Sequence, residues 1–134
     1  MRFLDTNLLL RYFTRDDEEK AQKVLELLKR IERNDEKVIT SSLVIFETIF
    51  TLESFYKVLR EEIRELLTPI LDLRGLRLSD KDIYRQALNI YVEKKNFSFP
   101  DAFNAAFAFK KGVKEIYSYD EDFDRIEGIK RFIP

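Results

Sequence analysis

Asp5, Glu47, Asp101, Asp120 and Asp122 are the side chains of this sequence whose types and surroundings best suit chemistry. Asp5 closes the first apolar run, Arg2-Phe3-Leu4-Asp5-Thr6-Asn7, and Glu47 interrupts the greasy stretch from Ser41 to Phe50. Asp101 follows a proline in Ser98-Phe99-Pro100-Asp101-Ala102. Asp120 and Asp122 crowd the end of Ile116-Tyr117-Ser118-Tyr119-Asp120-Glu121-Asp122-Phe123. The chain has no histidine and no cysteine, so its ligands are hard oxygens, which favour Mg²⁺ or Mn²⁺ over zinc or iron. Such a set suggests a hard-cation enzyme acting on phosphate.

Each acid also has a plain structural role open to it. Asp5 and Asp101 could cap helices, and Asp120 and Asp122 could shape a turn. Glu47 lies among apolar neighbours and is expected to be buried, where an unpaired carboxylate is costly. An ion pair would relieve that cost, but a functional role is the preferred reading. If the acids converge, two carboxylates about 4 Å apart repel by roughly 4 kcal/mol at an effective dielectric near 20. A cap is worth about 1 kcal/mol, so convergence requires a cation or protonation. One or two divalent ions could hold a scissile phosphate and supply a metal-activated water. Thr6, Asn7, Asn104 and Ser118 are polar neighbours able to orient ligands or waters.

The elements that must position these acids alternate between short strands and longer helices. Phe3 and Leu4 are expected in a buried strand, followed by a helix over 7–13. Asp16 or Asp17 caps a helix carrying Ala21, Val24, Leu25, Leu28 and Ile31 at helical spacing. A strand at 37–40 leads to a helix capped by Ser41 or Ser42 and running to about Lys57. That helix is apolar on more than one face, which suggests burial, partly between two copies of the chain. A helix over 61–73, a strand at 75–78, and helices from Ser79 or Asp80 to Lys94 and over 100–111 follow. Strands at 115–117 and 130–133 complete the pattern. This alternation predicts a parallel sheet covered by helices, with its site beyond the C-terminal strand ends.

Composition narrows the class. The 134 residues fit one domain, and 45% hydrophobic with 37% charged residues indicates a globular protein. No run suits a membrane span or signal peptide, so a cytoplasmic protein without membrane contact is expected. A formal charge of −1 argues against a coating protein that grips nucleic acid by bulk charge. It argues little against a metallonuclease, whose bound cations supply the local positive charge. The phenylalanines at 97, 99, 103, 107 and 109 are expected to pack a core rather than stack bases.

The acidic motifs together resemble those of the PIN-domain family, in particular the small VapC-type toxins. Leu4-Asp5-Thr6-Asn7-Leu8-Leu9 resembles the family's first motif, and Ser41-Ser42-Leu43-Val44-Ile45-Phe46-Glu47 its second. Phe99-Pro100-Asp101-Ala102-Phe103-Asn104-Ala105-Ala106 is similar to the third, and Ser118-Tyr119-Asp120-Glu121-Asp122-Phe123 to the fourth. The resemblance implies a single PIN-like α/β/α domain over 1–134, with a short, mostly parallel central sheet. It implies a Mg²⁺- or Mn²⁺-dependent endoribonuclease with Asp5, Glu47 and Asp101 as its central acids. Asp120 or Asp122 is the fourth, Asp120 being nearer the strand end. It further implies a homodimer, an RNA substrate and an antitoxin partner that blocks the acidic site.

Four other readings compete with this one. RNA processing outside a toxin–antitoxin pair would use the same site. A phospho-receiver module would bind Mg²⁺ and accept phosphate, but has no use for Glu47. A silent PIN-like module would bind RNA without cutting it. A haloacid-dehalogenase phosphatase needs a second Asp where this chain has Asn7.

Overall fold

The computed structural model describes all residues, Met1–Pro134. The chain divides into two compact units, Met1–Ser79 and Asp80–Pro134.

The first unit is built on three parallel strands, β1 (Arg2–Phe3), β2 (Val38–Ile39) and β3 (Leu76–Arg77), in the order β1-β2-β3. Four helices connect and cover them: α1 (Thr6–Thr14), α2 (Glu18–Glu32), α3 (Ser42–Ser54) and α4 (Arg60–Leu71). Strands this short need side-chain locks. Thr40 supplies one by donating its buried hydroxyl to the Leu4 carbonyl at 2.8 Å, and the Leu4 amide donates to the Ile39 carbonyl at 2.8 Å. Asp17 caps α2 by accepting from the Lys20 amide, and Ser41 caps α3 by accepting from the Val44 amide. The core gathers Leu4, Leu9, Val24, Ile31, Val38 and Leu76.

Gly75 sets the entry to β3. Its amide donates to the Ile31 carbonyl and its carbonyl accepts from the Val38 amide. A Cβ here would overlap the carbonyl oxygens of Glu36 and Ile31.

The second unit holds helices α5 (Lys81–Glu93) and α6 (Phe99–Lys110) and two parallel strands, β4 (Glu115–Tyr117) and β5 (Lys130–Phe132). Ala102, Ala105 and Ala106 are fully buried on α6, which lets α5 approach closely with Ile83, Ala87 and Tyr91. A 3₁₀ helix, Glu121–Arg125, carries Phe123 into a core with Phe97, Ala105, Ile126 and Ile129.

All five strands pair in parallel, as the alternation of elements predicts, but in two ladders rather than one. Other expectations shift. Phe3 is 56% exposed, and Leu4, just past the end of β1, is the residue that enters the core. α3 stops at Ser54 rather than Lys57, because the chain turns there with Lys57 in the left-handed region and the Val58 amide bonded to the Leu52 carbonyl. α4 runs through Pro69 to Leu71. Asp80 stands before α5 but makes no capping bond with its side chain. Phe97 and Phe99 are core residues as expected, whereas Phe107 is exposed.

Candidate active site

In the first unit, Asp5 lies two residues past the end of β1 and occupies the residue before α1, with extended backbone at φ −95°, ψ 162°. That is the capping position, yet its exposed carboxylate accepts no capping hydrogen bond. The adjoining Thr6 is buried and Asn7 is exposed.

Glu47 departs from expectation. It is exposed, not buried among the apolar residues around it in sequence. The reason is geometric: Leu43, Glu47, Phe50 and Ser54 recur at steps of four, three and four residues and form one solvent-facing stripe of α3. Val44, Ile45, Thr48, Ile49 and Leu52 take the buried side. The cost of burying an unpaired acid therefore gives no argument for Glu47. Its exposure leaves the carboxylate accessible to a ligand.

In the second unit, Asp101 has the capping role open to it. Ser98 caps α6 by accepting from the Asp101 amide, and Asp101 Oδ2 accepts from the Ser98 amide at 3.3 Å and the Ser98 hydroxyl at 3.0 Å. This reciprocal box satisfies two amides that helix geometry leaves without partners. Asn104, one turn further on, is exposed.

Asp120 likewise shapes its turn. The Ser118 hydroxyl accepts from the Asp120 amide at 3.0 Å, and Asp120 Oδ1 accepts from the Asp122 amide at 2.9 Å. Of the two acids, Asp122 is the one whose carboxylate is not committed to that turn, although Asp120 is closer to the end of β4.

Asp124 and Arg131 form a clasp that sequence reasoning missed. Arg131 Nε and Nη2 donate to the two carboxylate oxygens of Asp124 at 3.0 and 3.1 Å, while Nη1 donates to the Ser118 carbonyl at 3.1 Å. One guanidinium thus ties β5 to the exit of β4 and to the 3₁₀ helix that begins beside Asp120. The hydrogen bond from Arg131 holds the Asp124 carboxyl below the usual carboxylate range and raises the guanidinium in return. The two lie seven positions apart, Asp124 in the 3₁₀ helix and Arg131 on β5, and the β4–β5 pairing sets the Ser118 carbonyl within reach of the same guanidinium.

Within neither unit do three acidic side chains gather into a group that could hold a metal ion. The donor chemistry still fits a hard divalent cation: the five acids offer only oxygen, and Asp5, Glu47 and Asp122 are not shown spending theirs on a cap.

Strands alternating with helices, with acids after β1, on α3, at the start of α6 and after β4, define an α/β protein carrying an ordered acidic series. The sequence pattern of the PIN domain matches residues 2–129, and the chain belongs to the PIN-domain family. A VapC ribonuclease of Aquifex aeolicus (strain VF5) is 31% identical to it over 134 residues, covering 100% of this chain and 97% of that protein. The crystal structure of VapC20 from Mycobacterium tuberculosis, described as a sarcin-ricin loop cleaving toxin, is 23% identical. It covers 93% of this chain and 94% of its own, with a TM-score of 0.36.

Proposed function

We propose that this protein is a Mg²⁺- or Mn²⁺-dependent endoribonuclease and the toxin of a VapBC-type pair. Asp5, Glu47 and Asp101 are its central acids, with Asp120 or Asp122 as the fourth. The observation that carries the reading is Asp5, an aspartate at a helix-capping position whose side chain does no capping. Full-length similarity to a VapC ribonuclease supports the substrate class. A divalent cation, when bound, would neutralise carboxylates, polarise the phosphate and acidify a water. The chain's own part is to hold the carboxylates, with Thr6 and Asn7 beside Asp5 and Ser118 fixing the turn at Asp120.

The partners follow the same reading. The exposed apolar residues Leu43, Phe50, Phe55 and Leu59 around α3 suit the face of a homodimer. A groove between α1, α2 and α4, lined by Tyr12, Phe13, Leu28, Leu66 and Pro69 among others, suits an apolar antitoxin segment. A cytoplasmic location is part of the same proposal; no helix of the chain is long and apolar enough to cross a membrane.

Cleavage of a mixed panel of structured RNAs, with Mg²⁺, Mn²⁺ or EDTA, tests the proposal. Cutting that requires the metal and is lost in Asp101→Asn is expected. Failure of well-folded, antitoxin-free protein to cut any RNA with either metal would overturn it.

A further inference from the structure

We propose that the outer face of β4 and β5 is a stacking platform for single-stranded RNA. Tyr117 and Phe132 are its rings, and Lys114 and Lys130 are the cations that meet the backbone. The proposal rests on the endoribonuclease reading and adds to it a substrate-binding subsite built without the acids.

The register makes the face. Glu115 pairs with Lys130, Ile116 with Arg131 and Tyr117 with Phe132. Alternation then sends Ile116 to the core of the unit and Arg131 to Asp124, while Tyr117 and Phe132 share the opposite side. Tyr117 is 78% exposed and Phe132 37% exposed, with ring centroids 6.4 Å apart. Exposed aromatic side chains of this size need a reason, since burying them would be favourable.

The surroundings select the occupant. Lys130 Nζ lies 5.2 Å over the Phe132 ring, and Lys111 Nζ lies 5.5 Å over Phe107 on the neighbouring helix α6. Gly112, Val113, Lys114, Ile116, Tyr117 and Phe132 line one open depression of about 500 Å³, with Glu115 also on its wall. Within the depression Lys114 balances Glu115, and Lys130, over the Phe132 ring, adds one further cation at the rings of a chain whose formal charge is −1. Lysine is depleted from the cores of protein interfaces, whereas rings bordered by cations are how single strands are gripped. The strand also leads straight to the fourth acidic motif. Asp120 is three steps along the chain from Tyr117, a span of at most about 11 Å even when fully extended. A base on Tyr117 therefore leaves its own strand within reach of that acid.

Binding of a short fluorescent poly(A) RNA, measured by anisotropy in EDTA so that nothing is cut, tests the platform. Tyr117→Leu and Phe132→Leu keep an apolar side chain on an exposed position, and circular dichroism confirms their folding. Each is expected to weaken binding by about 10-fold, while Tyr117→Phe binds like the wild type. An abasic strand of equal length is expected to bind weakly and to be insensitive to the leucine variants. Unchanged affinity in both leucine variants, equal affinity for the abasic strand, or no binding by the wild type would overturn the platform. So would light scattering that shows either leucine substitution splitting a dimer, because the face would then belong between two copies. Metal-dependent cutting alongside any of these results would leave the nuclease reading standing and remove the platform alone.

Discussion

The first and the third of the five motif acids occupy similar places in the sequence grammar and different places in the structure. Asp5 and Asp101 both stand at helix starts, and both could have been simple caps. Asp101 is one: its carboxylate receives the Ser98 amide and hydroxyl in a closed box. Asp5 is not, and its carboxylate has no capping bond. An acid that serves its helix can be explained by the helix alone. An acid that stands at the cap and makes no capping bond is not explained by its helix.

Replacing each by asparagine tests this contrast most directly. Asp5→Asn removes a charge that stabilises no cap, so thermal stability should stay within about 0.5 kcal/mol of wild type. Metal-dependent RNA cleavage should fall by at least about 100-fold, since losing a ligand costs no less than losing the group that orients one. Asp101→Asn should lose cleavage as well, but with some loss of stability, because a neutral amide is a weaker acceptor for the Ser98 donors. Ser98→Ala separates the two roles: it should cost about 1 kcal/mol on denaturant unfolding while leaving most cleavage intact. Equal stability losses in Asp5→Asn and Asp101→Asn would break the comparison.

The same contrast shows what could be read from the residues. Helix starts at Asp17 and Ser41 were legible because capping is local, a side chain meeting an amide three residues on. At the sixth helix the residues pointed to Asp101, and Ser98 as its capping partner was not foreseen. The order of strands and helices was legible from apolar periodicity, and β4 falls on the expected 115–117. The exposure of Glu47 was not, because Leu43 and Phe50 made its face look apolar and hydropathy does not say which apolar stripe meets the core. The Arg131–Asp124 clasp was invisible for another reason. It depends on which strand lies beside which, and a two- or three-residue strand carries too little pattern to announce its neighbour. The acids were found by residue type and motif order, and the structure then separated those engaged in caps from those that are not.

A second difference between the units lies in how each tolerates change in its backbone. The first unit depends on a close approach at Gly75, where a methyl group would collide with two carbonyl oxygens. Main-chain oxygens cannot swing aside as side chains do. Gly75→Ala should therefore destabilise by about 3 kcal/mol, the upper end for inserting a methyl into a packed site. In the second unit, Gly112 has φ +69° but open space around its Cα. Gly112→Ala should cost about 1 kcal/mol, from the left-handed conformation alone. Urea unfolding of the two variants gives both values, and a larger loss at Gly112 would reverse the ranking.

The smallest effect comes from the clasp, and its sign follows from the pairing. The Arg131 guanidinium lowers the Asp124 carboxyl below its ordinary 3.8. A carboxyl depressed in the folded chain contributes stability above the unfolded value, and that contribution drains away as pH falls through the folded one. Arg131 itself stays charged throughout, because the Asp124 hydrogen bond moves the guanidinium further up, away from this pH range. Asp124→Asn should therefore melt slightly below wild type at pH 7 and pH 5. The gap should close as the pH drops under the usual carboxylate range, where wild type has lost the same charge. The Ser118 carbonyl continues to accept from Arg131 on both sides of that transition, so the end of β4 keeps one of its ties in acid. A gap that persists undiminished at low pH would mean that Asp124 acts through its shape and not its charge, and the clasp would then be a packing contact like any other in the second unit.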